Sequence, residues 1–211
     1  MNYSTLVQAI KDYTENEEAT FVSQIGNFIE FAELRILREA DLNVARKYAT
    51  STLTAGDTYL SLPTDIAIIR SMQIIVSNVR TYLQQKDTSF INEYIGDRTT
   101  TGTPRYYAHQ DHDTASVVPA PGSDTTIELS YTYIPAGLSA STTTTWIGDN
   151  APQALLYGCL LEASMFMKSE AADVQGYEAR YGQALQALLV QEDMRNRTDE
   201  YRDRSIKIGD K

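Results

Sequence analysis

The spacing of apolar residues changes period three times along this chain of 211 residues. Thr5, Leu6, Ala9, Ile10 and Tyr13 step by three and four, as do Phe21, Ile25, Phe28, Ile29, Ala32, Ile36, Leu37 and Ala40. That period predicts helices over residues 4–13 and 18–47. Thr14 or Asn16 is placed to cap the second, and Glu17 and Glu18 suit its positive N-terminal end. With no internal proline, residues 18–47 are expected to run as one helix of about seven or eight turns.

The period then drops to two. "YATSTLTAGDTYLSLP" alternates and carries Gly56-Asp57, so it reads as two strands stopped by Pro63. "IAIIRSMQIIVSN" is rich in branched apolar residues and reads as one strand, or two broken by a bend, turning at Asn78 into "VRTYLQQ". "DTSFINEYIG" reads as a short helix capped by Asp87 or Thr88 and stopped by Gly96. After the loop "RTTTGTP", the runs "RYYAHQ", "TASVVPA" and "TTIELSYTYIPA" are strands joined by "DHD" and "PAPGSD" turns. Residues 48–136 are therefore expected to form an inserted antiparallel β domain of about six strands with one short helix.

Residues 137–149 are a Ser/Thr/Gly linker without periodicity. Asn150 is placed to cap a helix with Pro152 in its first turn, running to about Lys168. A break at 169–171 precedes another helix to about Arg195, striped by Val174, Tyr177, Tyr181, Ala184, Leu185 and Leu188. The fold class is α+β. Helices 1–47 and the hairpin 150–194 form one bundle, the β domain is inserted between them, and 195–211 is an extended C-terminal arm.

Charge sharpens the picture. The chain holds 18 Lys+Arg and 28 Asp+Glu, a net of −10. Such a body does not coat nucleic acid, which demands cationic neutralisation of phosphates. It suits a nucleic-acid setting only as a channel wall past which DNA slides. The arm differs: residues 195–211 hold six basic and four acidic side chains. A basic tail on an acidic body suits docking onto an acidic surface or a neighbouring copy. The 14 tyrosines against one tryptophan fit either wet interfaces or strand propensity.

Candidate chemistry is sparse. Cys159 is the single cysteine, which excludes an intrachain disulfide, and its apolar neighbours predict a buried, inert thiol. His109, Asp111, His112 and Asp113 are metal-capable types, but they sit on one turn with no distant ligand to complete a site. Glu162 interrupts an apolar helix and is expected to pair with Arg35 or Arg38. Gly158, Ala163, Gly176 and Gly182 allow close helix approach, within the chain or between subunits. No phosphate loop, dinucleotide fingerprint or nucleophile elbow occurs, so neither an enzyme nor a cofactor is expected. The N-terminus lacks a basic region followed by an apolar stretch, and 154–167 is too short to span a bilayer, so a soluble intracellular protein is expected.

Four segments together resemble a known family. "TTTWIGDNAPQALLYGCLLEASMFMK" at 143–168, "LSLPTDIAIIRSM" at 60–72, "KDTSFINEYI" at 86–95 and "TTGTPRYYAHQDH" at 100–112 fall in order over most of residues 44–205. This series resembles the tail-adaptor (head-to-tail connector) proteins of short-tailed bacteriophages. The resemblance implies a structural virion protein, assembled in the host cytoplasm, with twelve copies in a ring beneath the portal. The C-terminal segment would grip the portal through Arg195, Arg197, Tyr201, Arg202 and Arg204. The β part would face the tail nozzle and possible fibre proteins, and DNA would pass through without specific binding. The competing classes are another neck or head-completion protein and a non-catalytic interaction module. A small hydrolase or metal enzyme built on His109 and His112 is a third, weaker class.

Overall fold

In the computed structural model, which describes residues 1–97 and 100–196, the N-terminal apolar period becomes three helices rather than two. α1 is Tyr3–Thr14, α2 Ala19–Val22 and α3 Ile25–Glu39. Asn2 closes a capping box on α1, its Oδ1 accepting from Thr5 N at 2.9 Å while Thr5 Oγ1 accepts from Asn2 N at 3.1 Å. The continuous helix expected over 18–47 is broken at Ser23–Gln24 and ends at Glu39. Thr20 and Val22 are stiff at χ1, and Ser23 Oγ donates to Thr20 O at 2.7 Å, so this stretch competes with its own helix. A 3₁₀ turn at Asn43–Ala45 follows, and strand structure begins at Arg46.

The chain divides into two units, one of Met1–Val44 with the described residues from Ala136 onward, the other Ala45–Pro135. The first is helical. To α1–α3 it adds α5 Trp146–Asn150, α6 Pro152–Met167 and α7 Ala171–Asn196. α6 buries nine residues, among them Leu155, Cys159 and Leu160, against Leu6, Ile10, Ile25, Ile29 and Ile36. It is apolar around most of its circumference because α1, α3 and α7 all pack on it. Phe21, Phe28 and Phe166 form a tilted cluster with centroids 5.6 to 6.2 Å apart. Asn150 does not cap α6. It is the last residue of α5, and its Nδ2 donates to Trp146 O, while Ala151 is the residue before Pro152.

Among its described residues the second unit contains eight strands where about six were expected. β1 Arg46–Leu53, β3 Ile66–Val76, β4 Val79–Tyr82 and β8 Thr125–Tyr133 form one sheet in the order β1-β8-β3-β4. β2 Tyr59–Ser61, β5 Gln84–Gln85, β6 Tyr106–His109 and β7 Thr114–Val118 form another in the order β2-β7-β6-β5. β5 pairs with β6 in parallel, and an isolated parallel bridge joins Thr101 to Ala120. β1 and β2, the two strands expected on either side of Gly56-Asp57, do not pair with each other. β1 pairs with β8 and β2 with β7, so the turn switches the chain between sheets. Gly56 has φ 77°, a conformation that costs glycine nothing. Ser77 and Asn78, at φ 51° and 63°, make the tight β3–β4 hairpin. Met72, Ile74, Ile127, Leu129, Val117 and Leu60 fill the core between the sheets. α4, Thr88–Tyr94, is capped by Asp87 and packs Ile91 against Ala108 and Val118.

Candidate functional site

α7 runs to Asn196, so the elements that fix α7 also fix where residues 197–211 leave the helical unit's last helix. Gly158 makes this packing close. A Cβ added there would meet the Ala32 methyl at 3.1 Å and the Tyr181 ring at 3.5 Å. Tyr181, from the sequence stripe, is buried and donates its hydroxyl to Glu39 Oε2 at 2.7 Å. Burial and then this bond push the phenol above its usual range. The Arg35 guanidinium lies 4.7 Å from the same ring and pairs with Glu39 at 3.0 Å. α3 and α7 are thus joined by one ring, one cation and one carboxylate.

Two buried glutamates hold the segments through which the chain leaves and re-enters the helical unit. Glu192, 3% exposed on α7, accepts from Asn43 N at 3.0 Å. Glu33, 3% exposed on α3, accepts from Leu138 N at 2.6 Å and from Thr145 Oγ1 at 2.8 Å. Thr145 in turn caps α5 by accepting from Gly148 N. Gly137 leaves room for this carboxylate: a Cβ there would come within 2.9 Å of Glu33 Oε2 and force it to shift. Residues 137–149, which lack sequence periodicity, are therefore ordered by side-chain bonds to α3. Burial raises the Glu33 pKa, and the bonds from Leu138 and Thr145 partly offset it.

Neither glutamate was singled out from sequence, although the signal was present. Glu33 lies four residues from both Ile29 and Leu37, on the apolar side of α3. Glu192 extends the α7 stripe four residues past Leu188. A carboxylate on an apolar stripe needs a bonded partner.

Of the proposed arm residues, Arg195 falls in the last turn of α7. Arg197, Tyr201, Arg202 and Arg204 lie outside the described residues. Glu162 does not make the expected contact. It lines an open groove of about 440 Å³ with Phe31, Leu34, Arg35, Arg38 and Glu39, but the carboxylate bonded to Arg35 is Glu39. Glu162 acts on Arg35 only through longer-range attraction. Glu39, one turn along the same helix, is the nearer partner.

The groups with chemical potential are dispersed. His109 ends β6, and His112 is exposed with Nε2 3.7 Å from Asp113. Among the described residues no three His, Cys, Asp or Glu side chains are grouped to hold a metal ion. The Cys159 thiol is fully buried, and burial, then the charges of Glu33 and Glu162, push its pKa well up. Among the described residues no helix is long and apolar enough to cross a membrane.

A search of the curated proteins finds no match. A family model does match, that of the SU10 adaptor protein, over residues 1–205. That match spans all the described residues of both units. The chain belongs to the SU10 adaptor protein family, a family of phage tail adaptors that are structural proteins of the virion neck.

Proposed function

We propose that this chain forms a ring of twelve copies beneath the portal, joining the capsid vertex to the tail and continuing the DNA channel. The observation that carries the reading is the family match over residues 1–205. The architecture supports it: a helical unit built from both chain ends, an inserted β unit, and a C-terminal segment of opposite charge to the body. The portal is the partner of the arm, through Arg195, Arg197, Tyr201, Arg202 and Arg204. The β unit faces the tail nozzle and the fibre proteins. The chain works by binding and not by catalysis, assembling in the host cytoplasm before it becomes part of the virion.

Charge gives the division of labour. Outside residues 195–211 the chain carries 12 basic and 24 acidic residues, a net of −12. A wall of that sign keeps DNA from adhering during passage. The net +2 of the arm favours an acidic surface, and its pairing weakens as salt rises. The test is sedimentation of the purified portal ring with the full chain and with a chain ending at residue 194. Full chain should co-sediment and the shortened chain should stay free while keeping its melting temperature. Retained docking by the shortened chain overturns the arm assignment.

A further inference from the structure

The sheet β1-β8-β3-β4 ends on both sides in a strand that, among the described residues, has one neighbour only. Proteins blunt such edges by shortness, proline, bulges or lysine. The other sheet does so: its outer strands β2 and β5 have three and two residues, and Pro63 follows β2 closely. β1 is different. It runs for eight residues in unbroken register with β8. Its lysine is drawn off, because Lys47 Nζ sits 2.6 Å from Asp65 and 3.8 Å from the Tyr133 ring centre. On the opposite outer strand, Arg80 is likewise bound to Glu128 at 3.0 Å. The charges that would repel an incoming strand are already paired within the chain.

The two outer strands also carry the two most exposed aromatic residues of the described chain. Tyr48 on β1 is 83% exposed and Tyr82 on β4 is 67% exposed. Both project from the same face. Tyr48 lies opposite Ser130, which lies opposite Ser71, while Tyr82 lies opposite Gln73, two residues further along β3. Three successive antiparallel pairings separate β1 from β4, so the two outer strands run in opposite directions. Copies related by rotation about an axis along the strands would therefore present β1 and β4 to each other antiparallel.

We propose that β1 of one copy pairs with β4 of the next, setting Tyr48 beside Tyr82 of the next copy and joining neighbouring sheets around the ring. This inference rests on the ring reading above and names the surface that joins the copies. The contact is heterologous, each copy offering a different strand on each side, which is the kind that closes a ring. The occupant is a second copy because the two strands are complementary in direction, exposure and aromatic content. A two-fold β1–β1 pairing would leave Tyr82 uncovered and stop at dimers.

The test uses full chains with cysteines at the two positions, Tyr48→Cys and Tyr82→Cys, singly and together, under oxidised glutathione. Cys159 is fully buried and does not interfere. Both positions are exposed, so melting temperatures should match wild type. The double variant should shift from a monomer band to a ladder of multimers. The two single variants mixed should give dimers, and each alone only monomer. Dimers from Tyr48→Cys alone overturn the proposal, as does the lack of any band above monomer with or without purified portal ring. Portal docking without a ladder rejects this junction and leaves the adaptor reading standing. A ladder without portal docking does the reverse.

Discussion

Replacing Glu33 by alanine tests whether the linker is ordered by a buried carboxylate. The change strands the Leu138 amide, now bonded at 2.6 Å, and frees the Thr145 hydroxyl, now bonded at 2.8 Å. An orphaned buried donor costs about 1–3 kcal/mol, and the lost methylenes add about 1 kcal/mol. Relief from burying a charge offsets part of this, so the expected net loss is about 1–3 kcal/mol. Glu33→Gln keeps the shape. Its Oε1 can accept from Leu138, its amide can donate to Thr145 Oγ1, and the loss should stay within about 1 kcal/mol. Urea titration followed by helical signal measures both, with the slope unchanged. Hydrogen exchange at Leu138 should accelerate on the order of tenfold to a hundredfold in the alanine variant, since each 1.4 kcal/mol is about tenfold. An alanine variant within about 0.5 kcal/mol of wild type would refute the reasoning, because no orphaned donor is that cheap.

The same pair of chains carries a pH signature. Burial raises the Glu33 pKa above its ordinary 4.5, so between 4.5 and the raised value the folded state binds more proton than the unfolded state. Stability from this group therefore falls as pH rises through that window and is regained on acidification. Glu33→Gln has no such group. Wild-type stability minus that of the glutamine variant should grow as pH is lowered toward 4.5, and a difference that shrinks contradicts the assignment.

Three further outcomes follow from the packing. Gly158→Val places new methyls against Ala32 and Tyr181, where a Cβ alone already approaches to 3.1 Å, and should cost about 1–3 kcal/mol by urea titration. Tyr181→Phe removes the hydroxyl bonded to Glu39 and should cost about 1–2 kcal/mol, with little change when Glu39→Ala is already present. Leu160→Ala, at a fully buried position in the α6 core, should cost about 2–5 kcal/mol, whereas Met165→Ala, 60% exposed on the same helix, should stay within about 0.5 kcal/mol.

The helices with a strong apolar stripe were legible in the sequence, and so was the α+β class. The α7 stripe holds from Val174 to Leu188 because one side of it meets α6. Local competition set the boundaries that periodicity missed. Ser23 bonds its own turn and splits the long helix, and Thr145 rather than Asn150 serves as a cap. Strand partners were not legible. β1 and β2 follow one another through a good turn yet join different sheets, because pairing depends on distant β8 and β7. The linker's order depends on Glu33, more than a hundred residues away in sequence, which no local pattern can encode.

The most direct measurement is mass photometry of the purified portal ring, alone and with an excess of this chain. The account predicts one shifted peak, heavier by twelve copies of 23.6 kDa each. A portal peak that does not move, with both proteins folded, would contradict the adaptor reading, and a shift by another number of copies would contradict the ring of twelve.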